Sequence, residues 1–128
     1  MNRRTLLTAA ALLMLAPNLV GCPEPPPPIA LSGEVATVAC GFCRFKIEGA
    51  RMPCFWAVRI GDDHFAVKGE QPKKHDNHAP DGMCNIERQA RLTGKVVGGS
   101  FVATKFELLD VDPTTVPAKP EYSDADAH

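Results

Sequence analysis

The sequence predicts a small, mainly β domain with one short helix. Three observations lead to it. Residues 55–68 alternate apolar and polar about Gly61-Asp62-Asp63, and residues 95–109 do so about Gly98-Gly99. Between these hairpins Asp81 opens a run that carries Met83, Ile86 and Ala90 at helical spacing. With one more strand ahead of the first hairpin, the order is β-β-β-α-β-β. That order fits an OB-like barrel of five strands. The alternative is an α+β meander of the same elements.

The body covers residues 29–110, and its elements follow in order. Leu31 to Ala39 is β-branched and apolar, interrupted by Ser32, Gly33 and Glu34, and reads as the first strand. In Phe55 to Ile60, Trp56, Val58 and Ile60 share one face while Ala57 and Arg59 take the other. Gly61-Asp62-Asp63 is turn chemistry. Phe65 and Val67 alternate with His64, Ala66 and Lys68 on the return strand, which sends His64 to solvent. Gln71 to Pro80 is a polar loop. Asp81 is suited to cap a helix whose inner side holds Met83, Ile86 and Ala90 and whose outer side holds Arg88 and Arg91, with Gly94 as its stop. Lys95-Val96-Val97, Gly98-Gly99 and Ser100 to Leu109 form the second hairpin, with Val102, Thr104, Phe106 and Leu108 on one face.

The flanks differ in kind. Arg3 and Arg4 precede the apolar run Thr5 to Pro17, which is shorter than the ~20 residues a membrane span requires, so residues 1–21 read as an export signal. Leu19-Val20-Gly21-Cys22 resembles the bacterial lipobox, which implies Cys22 as the lipid attachment site and acylated N-terminus. Two or more acyl chains give stable anchoring to a lipid bilayer. Arg3-Arg4-Thr5-Leu6-Leu7 leaves both the general secretory and the twin-arginine export routes open. Residues 22–28 form a tether, and its polyproline geometry, ~3.1 Å per residue, spaces the body by about 20 Å from the lipid. Residues 111–128 hold three prolines and several acidic residues without an apolar pattern, and read as a disordered tail. The expected address is the bacterial cell envelope, facing the periplasm or the surface. In a host with two membranes the outer one is favoured, because Pro23 stands where inner-membrane retention usually has aspartate.

The bulk composition narrows function. With 14 basic against 15 acidic residues among 128, no electrostatic footprint for nucleic acid exists. No acid–base pair, activated nucleophile or phosphate loop is visible, so hydrolase and transferase chemistry has no support.

The chemistry lies between Cys40 and Cys84. Once Cys22 is lipidated, Cys40, Cys43, Cys54 and Cys84 remain, with His75 and His78 in the polar loop. Four cysteines in an oxidising compartment permit two disulfides, each worth about 2–4 kcal/mol. Alternatively, Cys40-x-x-Cys43 is the spacing that lets two thiols face one ion, and His75, His78 and Cys84 add soft ligands suited to zinc or copper. Cys84 would lie in the first turn of the predicted helix, where the dipole favours a thiolate. A mixture of one disulfide and a metal site would also use every residue. Thiol–disulfide redox chemistry at Cys40 and Cys43 is a third reading, although no βαβ pattern surrounds the pair.

Cys40-Gly41-Phe42-Cys43-Arg44-Phe45, Cys54-Phe55-Trp56-Ala57-Val58-Arg59-Ile60, Asp81-Gly82-Met83-Cys84, the run Arg88 to Gly94 and Gly99-Ser100-Phe101-Val102 together carry a resemblance. Over roughly residues 33 to 109 the chain resembles an uncharacterised family of small bacterial exported proteins and lipoproteins, a domain of unknown function. The family pattern sets a histidine-containing acidic loop before the last cysteine. Here Lys73 and Lys74 precede the histidines and His75 is offset by one residue, so the resemblance implies His78 as a ligand ahead of His75. No established activity comes with it. The expected function is an anchored envelope lipoprotein with a Cys/His metal site. The alternative is a disulfide-stapled, non-catalytic adaptor that binds an envelope protein or small ligand.

Overall fold

A computed structural model describes residues 21–51, 53–73 and 76–118. The export signal up to residue 20, His75, and the tail beyond residue 118 lie outside the described residues. Five strands close into a barrel: β1 (Ala30–Cys40), β2 (Trp56–Ile60), β3 (Asp63–Gly69), β4 (Arg88–Val97) and β5 (Ser100–Leu108). Their order around the barrel is β1-β2-β3-β5-β4, with β4 returning to pair with β1. Every pairing is antiparallel except β3 with β5. Among the described residues no helix is long and apolar enough to cross a membrane.

Both predicted hairpins form. Ile60 pairs with Asp63, leaving Gly61-Asp62 as a two-residue turn with Gly61 at φ +62°, the left-handed first position that glycine fills without strain. Val97 pairs with Ser100 across Gly98 and Gly99, whose φ angles of +56° and +77° match a type I′ turn. His64 is half-buried rather than free in solvent, because its ring lies 4.5 Å from that of Phe45.

The helix predicted from Asp81 does not form. Residues 81–86 are turns, and Arg88 onward is β4. The physical reason is visible in the burial of the strand: Ala90 and Leu92 are fully buried while Gln89 and Arg91 are exposed, a period of two. Met83, Ile86 and Ala90 imitate helical spacing only because two of them precede the strand. Tertiary pairing overrides local propensity, since β4 bonds β1 on one side and β5 on the other and so removes two open sheet edges. The α+β alternative falls with the helix. Among the described residues the helical element is one 3-10 turn, Pro113–Thr115, in which the Thr114 N–H donates to the Asp112 carboxylate.

A second correction concerns β5. Phe101 and Ala103 face the core, and so do Phe106 and Leu108 further along, while Thr104 is exposed. Alternation changes phase because Gly94 pairs with Ala103 and Thr93 with Lys105, leaving Thr104 as an extra residue in a bulge. Gly94 makes this possible: a Cβ there would run into the backbone of Val102 and Ala103. The bulge turns Val102 away from the core and Phe101 into its centre. The core inside the barrel is Val38, Trp56, Val58, Val67, Leu92 and Phe101, and it continues without a break into Cys40, Met83 and Cys84 at one end.

Candidate metal centre

The Cys40 end of the barrel gathers three chain segments. Cys40 is the last residue of β1, paired with Trp56, and its N–H donates to the Met83 carbonyl at 3.0 Å. The strand end is thereby stitched to the loop that carries Cys84. After Cys40 the chain turns sharply: the N–H groups of Arg44 and Phe45 both donate to the Cys40 carbonyl, at 3.1 and 3.0 Å. The turn also points the Cys43 N–H at the Cys40 sulfur, 3.3 Å away. Gly41 sits against the Phe55 ring in the space a Cβ would need, and its N–H donates to the Phe55 carbonyl at 3.0 Å. That bond and the Cys40–Trp56 pairing bring Cys54, just ahead of β2, alongside the turn.

Cys84 arrives by a different route. Gly82 approaches the backbone of Asp76 and Asn77 more closely than any side chain would allow, and the Cys84 N–H donates to the Asn77 carbonyl at 3.1 Å. The fully buried Asn85 holds the rest of the loop by donating from Nδ2 to the His78 and Ala79 carbonyls, both at 2.8 Å. These buried amide contacts fix the loop without any helix.

The outcome is four sulfur atoms within 4.8 Å of one another: Cys40, Cys43, Cys54 and Cys84. Cys54 Sγ lies 3.4 Å from both Cys43 Sγ and Cys84 Sγ. A disulfide needs about 2.05 Å. All four thiols are free, so no disulfide joins them. A tetrahedral ion with sulfur ligands at about 2.3 Å separates those sulfurs by about 3.8 Å, close to the spacing here. Cys40 and Cys84 are buried, whereas Cys43 and Cys54 are half-exposed, so the cluster has one dry and one wet edge.

A family profile matches residues 34–109, more than half of the chain and the whole of this site. The chain belongs to DUF6370, a family of unknown function. No curated protein and no solved structure matches it. The DUF6370 region begins inside β1, after the Gly33 bulge, and ends just past β5, so it covers all of the barrel but the first residues of β1.

The electrostatics of the DUF6370 site favour one thiolate in the resting cluster. The Cys84 thiol donating to Cys40, helped by N–H groups of Cys43 and Phe42, lowers the Cys40 thiol to about 5 against the cost of burial. Burial, with the neighbouring Cys54, pushes Cys43 up to about 12. Burial raises Cys54 as well, and donation to Cys40 raises Cys84. Lys46 lines a hollow with Cys43, and Lys73 lines another with Cys54, so cations stand at the wet edge.

Sequence reasoning named all four cysteines but gave Cys54 no partner. Its signal was register: Cys40 ends one strand and Cys54 precedes the next, so antiparallel pairing had to bring them close. His78 is not among the clustered ligand atoms. Its backbone N–H donates to the Asp76 carboxylate at 3.0 Å and its carbonyl receives Asn85. His75 lies outside the described residues. Gly82 and Met83 were legible as part of a turn motif, and Met83 as buried, but not as residues that position Cys84, and Asn85 was missed.

Proposed function

We propose that the protein is an anchored lipoprotein of the bacterial envelope whose barrel binds one soft transition metal, zinc, through Cys40, Cys43, Cys54 and Cys84. The convergence of four sulfur atoms within 4.8 Å carries this reading. Tetrahedral four-sulfur sites suit zinc, and a site filled by four protein thiolates leaves no position for substrate, which favours a structural role. The ion would tie the end of β1, the 41–55 turn and the 76–87 loop together. The strand order supports describing the barrel as OB-like, with turns in place of its helix. The exposed Cys22 and the proline tether after it support lipid attachment. The test is metal content and free-thiol count on one folded sample. One zinc per chain, with four thiols titrating only after chelation, is the expected result. A metal-free protein lighter by two protons per bridge would instead establish the stapled scaffold.

Proton linkage gives a second check. Cys40 is already a thiolate at neutral pH, while Cys43, Cys54 and Cys84 hold their protons. Binding therefore displaces about three protons, four thiols less one, at pH 7, and affinity rises with pH. Below about pH 5 Cys40 also protonates and a fourth proton must leave. Calorimetry in buffers of different ionisation enthalpy reads the count directly. A value near zero at pH 7 would exclude a four-thiolate site.

A further inference from the structure

The metal centre occupies one end of the barrel; the other end is where β1 begins and the β4–β5 hairpin turns at Gly98-Gly99. Ala30, Leu31, Thr93, Lys95, Val97 and Val102 line a groove of about 440 Å³ there, nearly all of its walls carbon. Beside it Ile29 is 39% exposed and Val97, at the hairpin tip, is 52% exposed. The Val96 N–H donates to the Ile29 carbonyl at 2.8 Å, so the apolar tip is tied to the residue where the tether enters the barrel.

That connection determines what the patch meets. Six residues, Pro23 to Pro28, separate Ile29 from Cys22. At ~3.1 Å per residue they span at most about 20 Å. The Ile29 end of the barrel is therefore never farther than about 20 Å from the surface to which Cys22 is fixed, and the tether's flexure lets it come closer. Tethering at such range makes the effective concentration of that surface very high, and a small patch then suffices to dock. β-branched side chains at a hairpin tip with one flexible cation match the boundary between acyl chains and headgroups, where a lysine stem lies along apolar surface and its ammonium reaches phosphate.

We infer that the tether end of the barrel docks on the lipid bilayer through Ile29, Leu31 and Val97, with Lys95 meeting lipid phosphate. The inference rests on the lipoprotein reading of Cys22. Docked in this way, the cysteine cluster at the opposite end faces away from the membrane.

The experiment separates docking from anchoring. In the Cys22→Ser chain, a hexahistidine segment replaces residues 1–21 and holds the protein on phosphatidylethanolamine/phosphatidylglycerol vesicles containing a nickel-chelating lipid. Hydrogen exchange at the amides of Val97, Gly98 and Gly99 is expected to slow at least ~10-fold on vesicles relative to solution. Val97→Asp combined with Ile29→Asp should restore the solution rate while the tag still holds the protein, with the slow core amides of Leu92 and Phe101 unchanged. Equal exchange with and without vesicles would overturn docking. So would protection that grows with protein concentration in the absence of lipid, which would mean that a second copy covers the patch. Separately, flotation of the natural chain with cell membranes, compared with Cys22→Ser, tests the anchor itself. Failure there removes the anchor and leaves the vesicle result readable.

Discussion

Removing the zinc proposed for the four thiols should lower the melting temperature by about 20 °C. An ion at a thousandfold excess over its dissociation constant stabilises the folded state by about 4 kcal/mol. In a domain this small each kcal/mol moves the midpoint by about 4–8 °C. The expected effect is large because the ion would bridge segments that otherwise share few backbone bonds, chiefly Cys40 N–H to Met83 and Gly41 N–H to Phe55. Cys84→Ser should reproduce the loss without chelator, since it deletes a ligand on the dry edge and a sulfur packed in the core. Cys43→Ser, on the wet edge, should cost less. Circular dichroism melts with and without chelator decide the matter: the idea fails if zinc leaves and the melting curve does not move.

Phe101→Ala should cost about 3–5 kcal/mol, because deleting a buried ring forfeits its transfer energy and leaves a cavity. Phe101 has no solvent exposure and is the largest wholly buried side chain among the described residues. Against a typical total of about 5–15 kcal/mol, that loss leaves the barrel marginal. The useful comparison is Val102→Ala. Simple alternation along β5 puts Val102 inside, whereas the Thr104 bulge puts Phe101 and Ala103 there. Urea unfolding of the two variants should therefore show Val102→Ala to be much the milder. A larger effect at Val102 would mean that the bulge is misplaced.

The hairpins were legible in the sequence because each needs a specific local chemistry, Gly61-Asp62 and Gly98-Gly99, and because Trp56, Val58 and Ile60 alternate cleanly. The strand count and the mainly β class followed. The segment from Asp81 to Thr93 misled because its apolar residues are few. Met83 and Ile86 belong to turns, Ala90 and Leu92 to a strand, and no local signal marks the change at Arg88. What makes β4 a strand is the pair of neighbours waiting on either side, which is information held elsewhere in the chain. The Thr104 bulge was hidden for the same reason: it belongs to a pairing, not to a residue. At the site, residue types exposed the thiols directly, whereas the choice between sulfur and imidazole depended on where the 76–87 loop turns. Gly82 and Asn85 decide that through backbone contacts that spacing does not reveal.

Cys84 precedes β4, the strand that seals the barrel against β1. Only Cys40 and Cys43 are neighbours along the chain; Cys54 joins them through the pairing of β2 with β1, and Cys84 through the loop that leads into β4. The four-sulfur cradle is therefore complete only once the loop before β4 is in place. On the proposed zinc reading, the ion a chain takes up would be the one on offer in the compartment where that loop settles. Exporting the polypeptide unfolded or folded would consequently select between two metal supplies, with no change to a single ligand.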